Sequence, residues 1–136
     1  MVALRELLQR SMDKNGHLRR NHIEVVSVEK DHAILQLEIH PDIKNPYGIV
    51  HGGALYTLAD DATAAAAVSS GQLYVTQDGS LHFVGNRSEG VITAEARVRH
   101  RGKSTCLVDV DITAEDGGLV ATGTFTLFRV EKSIIK

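Results

Sequence analysis

The feature that most constrains this chain is an abrupt change of hydrophobic period after Gly71. Between Gly53 and Ser70 the residues Leu55, Leu58, Ala59, Ala62 and Ala66 recur at spacings of three and four, which predicts one helix of about five turns. Gly71 then supplies a residue suited to the left-handed position beyond a helix end. From there the period is two. Val75, Gln77, Gly79, Leu81 and Phe83 belong to one strand, and Ile92, Ala94, Ala96 and Val98 face inward from the next while Thr93, Glu95, Arg97 and Arg99 face out. Thr105 to Thr113 forms a third run. Glu115 to Gly118 makes a hairpin turn, and Leu119 to Val130 is a long last strand with Ala121, Gly123, Phe125 and Leu127 on one side. Links this short make the strands antiparallel. The helix carries Ala62, Ala64, Ala65, Ala66 and Ala67, so something packs close to it on more than one side, as a sheet wrapped around it would.

Ahead of the long helix, Leu4, Leu7, Leu8 and Met12 predict a short amphipathic helix over residues 2 to 12, ended by Asn15 and Gly16. Ile23, Val25 and Val28 mark a first strand, Ala33, Leu35, Leu37 and Ile39 a second, with a turn at Glu29 to His32. Pro41 and Pro46 bound a loop expected to lack regular structure. The architecture is therefore α+β: one long helix against an antiparallel sheet of about five or six strands, with a short N-terminal helix. The 136 residues fit a single domain spanning 1–136.

Several classes are excluded by composition. An apolar content of 43% is too high for a disordered chain, and a net charge of −2 argues against nucleic acid as a partner. No apolar run approaches the roughly 18 residues of a membrane span, so no membrane partner is expected. The lone Cys106 cannot form an internal disulfide; it reads as a small buried hydrophobe, and a cytoplasmic location fits. Gly48 and Gly53 have the spacing of a phosphate loop, but Ala54 and Leu55 stand where Lys and Ser or Thr are needed. Ser80 lacks the frame of a nucleophile elbow, and the seven histidines show no metal-binding spacing, so no metal is expected.

What remains is Asn45-Pro46-Tyr47-Gly48-Ile49-Val50-His51-Gly52-Gly53 leading into the helix. Two glycines at a helix start leave backbone N–H groups unobstructed at the positive end of the helix dipole, a place that can polarise a carbonyl. The alternative is a plain entry turn. Asp60 and Asp61 lie two turns inside the helix, where an acid forfeits the favourable first turn. Asp60 stacks with Gly53, Tyr56 and Thr63, away from the apolar stripe. Asp61 projects with Thr57, Ala64 and Val68, and the wheel does not decide which acid is buried.

The arrangement resembles the hotdog-fold acyl-CoA thioesterases, in particular their PaaI-type branch. The pattern there is Asn, five residues, His-Gly-Gly, then Leu-x-x-Leu-x-Asp, and Asn45, His51, Gly52, Gly53, Leu55, Leu58 and Asp60 fit it. The late Gly102-Lys103-Ser104 and Gly118-to-Thr124 segments look like the family's closing strands. The resemblance selects Asp60 over Asp61. It implies that the Gly52 N–H polarises the thioester carbonyl, that Asp60 is general base or nucleophile, that Asn45 and His51 shape the loop and help hold the carbonyl or the water, and that Thr76 steadies the attacking water. Where the family often has a proline after this strand, the chain reads Phe83-Val84-Gly85-Asn86-Arg87.

The acyl-CoA pocket is expected to involve Gly53, Tyr56, Thr63 and Phe83. The basic run Arg97, Arg99, His100, Arg101 and Lys103 offers Arg101 and Lys103 to the phosphates of coenzyme A, against the alternative of a solvated strand edge. No cofactor is implied beyond coenzyme A as part of the substrate. A domain this small leaves the Asp60 flank open. The resemblance fills that gap with a twofold partner, a homodimer whose glycine faces the other copy's acid, assembling further into a dimer of dimers. Two rival functions remain at this level, a hotdog hydratase or dehydratase and a non-catalytic acyl-CoA-binding module.

Overall fold

The computed structural model describes residues 2–14 and 22–130. Its elements run α1 (Val2–Lys14), β1 (Ile23–Glu29), β2 (His32–Glu38), a short 3-10 turn (Pro41–Ile43), α2 (Gly52–Val68), β3 (Leu73–Phe83), β4 (Val91–Arg101), β5 (Thr105–Ala114) and β6 (Leu119–Val130). Six strands form one antiparallel sheet in the order β1-β2-β4-β5-β6-β3. The sheet curls around α2, which packs against all six strands. Leu55, Leu58, Ala59, Ala62 and Ala66 are fully buried against the inward row Leu35, Leu37, Ala94, Ala96, Val108, Ile112, Phe125 and Leu127. Small residues on the helix let the strands approach on several sides at once.

Most of the expected pattern is present, including Cys106 in the core and Gly71 at φ +93. Asn15 and Gly16 lie outside the described residues. One expectation is corrected. The segment after Pro41 is not irregular throughout, because proline fits the first position of the 3-10 turn, and Lys44 bridges Val50 beyond it.

A second difference matters for function. β3 carries a bulge between Thr76 and Asp78, so its alternation changes phase there. Tyr74 and Thr76 point toward α2 before the bulge, and Gly79 and Phe83 after it.

The two sheet edges differ. At β1, α1 lies across the backbone: Gln9 accepts from the Val25 N–H at 2.6 Å, and Arg5 donates to the Val25 carbonyl at 3.0 Å. Those contacts blunt an edge that would otherwise recruit another strand. At β3 one side pairs with β6 and the other pairs with nothing among the described residues, over eleven residues with Val75 and Phe83 exposed.

Candidate active site

The loop from Ile43 to Gly53 is tied down by backbone and amide contacts that converge on the start of α2. Asn45 folds it: its Oδ1 accepts from the Tyr47 N–H at 2.9 Å and the Ile49 N–H at 3.4 Å, while its own N–H donates to the Ile49 carbonyl. The His51 N–H donates to the Ile43 carbonyl at 2.7 Å. Asn86, in the segment where the family's proline is missing, clamps Val50 through both backbone groups at 3.0 Å. Sequence reasoning missed that clamp. An asparagine beside Gly85 at the end of a strand was its only trace, since such residues often bond nearby backbone.

His51 is the N-cap of α2. It is extended at φ −64 and ψ 134, and its Nδ1 accepts from the Gly53 N–H at 3.1 Å, which places the ring proton on Nε2. The Ala54 and Leu55 N–H groups both donate to the His51 carbonyl. With Val50 and His51 also satisfied, the Gly52 N–H is the one donor from Val50 to Leu55 with no acceptor among the described residues. It sits at the positive end of a seventeen-residue helix, with the Phe83 ring beside its Cα.

Two turns further on, the Thr76 hydroxyl donates to Asp60 Oδ1 at 2.6 Å. That contact fixes the carboxylate on the open flank of α2 and leaves Oδ2 without a hydrogen-bond partner among the described residues. Three contacts thus join α2 to β3 in register: Gly52 with Phe83, Tyr56 with Gly79, and Asp60 with Thr76. The β3 bulge puts all three strand residues on the helix side.

Asp61 settles what the helical wheel left open. Its Oδ2 is buried without a hydrogen-bond partner, and burial, reinforced by the charge of Asp60, pushes its carboxyl up to about 7. The folded chain therefore holds a proton there that the unfolded chain releases from pH 3.8 upward. The stabilisation contributed by the Asp61 proton is fully present below that value and is lost as pH rises to about 7, by up to about 4 kcal/mol. Asp61→Asn is expected to raise unfolding stability above about pH 8 by a few kcal/mol and to leave it unchanged near pH 3.5. Urea titrations at the two pH values check this; an equal effect at both contradicts it.

Two expected site residues lie elsewhere. Thr63 is fully buried, and its hydroxyl donates to the Asp60 carbonyl at 2.9 Å, so it faces the core rather than the open flank. Arg101 sits at the far end of α2. Its guanidinium donates to the Ala67 carbonyl, Ser70 Oγ, the Tyr74 hydroxyl and Asp31 Oδ1, the last at 2.7 Å. It neutralises the negative helix end and joins it to the β1–β2 turn, where Asp31 holds φ +62. A guanidinium so engaged is not available to a phosphate. Arg101→Ala is expected to cost about 2 to 3 kcal/mol, read as a lower urea midpoint at unchanged slope. Arg97 and Arg99 are paired with Glu95 and Asp109, whereas Lys103 is exposed and makes no ion pair among the described residues.

One helix inside a curled six-stranded antiparallel sheet is the architecture of a hotdog protein, and here the helix opens at Gly52 and carries the hydroxyl-held Asp60 two turns on. Comparison with known proteins agrees. The family model of the Thioesterase superfamily matches residues 47–121, and the chain belongs to that family as a thioester hydrolase. It is 32% identical over 108 residues to 1,4-dihydroxy-2-naphthoyl-CoA hydrolase of Listeria monocytogenes, covering 77% of this chain and 88% of that one. It is 32% identical over 100 residues to acyl-coenzyme A thioesterase PaaI of Escherichia coli, covering 73% and 71%. The solved PaaI structure superposes with a TM-score of 0.86 over 95% of each chain. A hypothetical thioesterase of Streptococcus pneumoniae, solved with coenzyme A, is 31% identical with a TM-score of 0.77, over 79% of this chain and 88% of that one. Solved variants of that protein replace an aspartate and a threonine 16 positions later with alanine, the separation of Asp60 and Thr76 here.

Proposed function

We propose that this protein hydrolyses small, medium-chain or aromatic acyl-CoA thioesters to the free acid and coenzyme A, at sites shared between two copies of the chain. The observation that carries the reading is the pairing of one unsatisfied helix-start N–H, on Gly52, with one Thr76-held carboxylate, on Asp60. In the proposed reaction the thioester carbonyl accepts from Gly52 N–H, and the helix dipole stabilises the oxyanion as it forms. Asp60 acts as general base: it takes a proton from water held between its free oxygen and the Thr76 hydroxyl, and that water attacks the carbonyl carbon. The C–S bond breaks, and the proton passes to the departing thiolate. No metal or redox group takes part.

A shared site follows from length. Gly52 and Asp60 are eight residues apart on one helix, about 12 Å along its axis, while reacting atoms must come within about 3.5 Å. One chain cannot apply both groups to one carbonyl. A twofold partner brings its Gly52 to this Asp60 and the reverse. The unpaired β3 edge, which bears Thr76 and adjoins the open flank of α2, is the surface that supports this pairing. A dimer of dimers is proposed beyond it. Exposed Lys103 is assigned to a coenzyme A phosphate, residues 1–136 to one hotdog domain, and the protein to the cytoplasm, where acyl-CoA is found.

The test is release of free thiol from a panel of acyl-CoAs by the purified protein. Thiol release above the spontaneous rate is expected for at least one of them. Acyl-CoA that is bound and recovered intact would instead establish a binding module.

A further inference from the structure

The middle of the three α2–β3 contacts has no part in the proposed chemistry, yet it is the most tightly built. Tyr56 stands one helical turn before Asp60, on the same flank. Its phenol rests on bare backbone: a Cβ at Gly79 would overlap the Tyr56 hydroxyl oxygen, and would lie 2.6 and 2.7 Å from Phe125 Cε2 and Cδ2. Phe125, directly across from Gly79 in the β3–β6 pair, packs against the tyrosine with ring centroids 5.2 Å apart at a 51° tilt. Gly79 is thus a notch that admits the phenol, and Phe125 is the wall that holds it. Tyr56 as a residue remains 37% exposed, so part of it faces the open flank. No other large side chain stands on α2 between Gly52 and Asp60 on that flank, where Gly53 adds no bulk. Burial and the nearby charges of Asp60 and Asp78 push the phenol above its usual range, so it remains uncharged there.

A carbonyl attacked by water on Asp60 lies beside this flank, and Tyr56 is about 6 Å away along the helix axis, within the length of a short acyl chain. We infer that Tyr56, seated in the Gly79 notch and backed by Phe125, is the specificity-determining residue that sets the upper size of the acyl group. The inference rests on the thioesterase reading of the same site. A wall of this kind discriminates by excluded volume, and about one methylene's worth of misfit is worth roughly 10- to 200-fold.

The experiment measures kcat/KM by thiol release with butyryl-, hexanoyl- and dodecanoyl-CoA for the wild type, Tyr56→Ala and Tyr56→Phe. Tyr56→Ala is expected to raise the dodecanoyl-to-butyryl ratio at least tenfold, chiefly through KM, and Tyr56→Phe to keep the wild-type ratio because the ring remains. An active Tyr56→Ala enzyme with the wild-type ratio would overturn the inference. So would a Tyr56→Phe enzyme with the ratio of Tyr56→Ala, because the hydroxyl rather than the ring would then be selecting. A wild type that releases no thiol from any of the three, nor from an aromatic acyl-CoA, overturns the thioesterase reading, a different result from either.

Discussion

Replacing Gly52 with proline is expected to lower kcat about 10²- to 10³-fold while the protein folds normally. Proline removes the one backbone donor at the head of α2 that has no acceptor among the described residues, and it does so where a helix tolerates proline best. The residue before it already has the extended conformation that proline requires, with His51 at φ −64 and ψ 134. The cap survives because Gly53 N–H still donates to His51 Nδ1. Gly52→Ala is the matched control. Its Cβ would meet the Phe83 ring at 3.7 Å, an ordinary contact, and its N–H is retained, so it should keep most of the activity. Steady-state thiol release with thermal melts of both variants separates the two cases. Equal loss in both would mean that Gly52 matters for shape and not for its N–H.

Asp60→Ala is expected to cost about 10² to 10⁴ in kcat with a small change in KM, the range for removing a general base. The neighbouring acid cannot stand in. Asp61 projects about 100° around the helix, with one oxygen buried and unpartnered and its carboxyl pushed up to about 7. The two aspartates thus divide by environment: Asp60 is oriented by a hydroxyl on the open flank, and Asp61 is a buried acid that the fold carries at a cost in stability. Near-wild-type turnover by Asp60→Ala would remove the carboxylate from the mechanism.

The elements that were legible in the sequence are those with a strong local signal. The stripe from Leu55 to Ala66, the alternation of Ile92 to Val98, the left-handed Gly71 and the hairpin turn at Glu115 to Gly118 all act over a few residues, and each stands where the sequence signal put it. The candidate site at the helix start could be proposed from the sequence as well, because His51-Gly52-Gly53 and Asp60 belong to one continuous segment. What escaped is non-local. The bulge at Thr76 and Asp78 is a one-residue shift against β6, which alternation along β3 alone does not reveal. That β3 crosses to pair with β6, leaving its other edge open, depends on the whole sheet. Arg101 looked like a phosphate ligand because it lies in a basic run, but its partners Asp31, Ala67 and Tyr74 are distant in sequence. The burial of Asp61 is likewise a property of packing, and the wheel placed both acids off the apolar stripe.

Two copies enter the account through the 12 Å that separates Gly52 from Asp60 on one helix, as estimated from about 1.5 Å rise per residue. The most direct test is to co-express Gly52→Pro and Asp60→Ala chains and assay the mixture beside each variant alone. In a shared site, each hybrid dimer has one active centre, with glycine from one chain and aspartate from the other. Random pairing then restores about a quarter of wild-type turnover, although both parents are nearly inactive. Hybrid dimers that form, yet show no more activity than the two parents summed, would contradict a catalytic centre built from two chains.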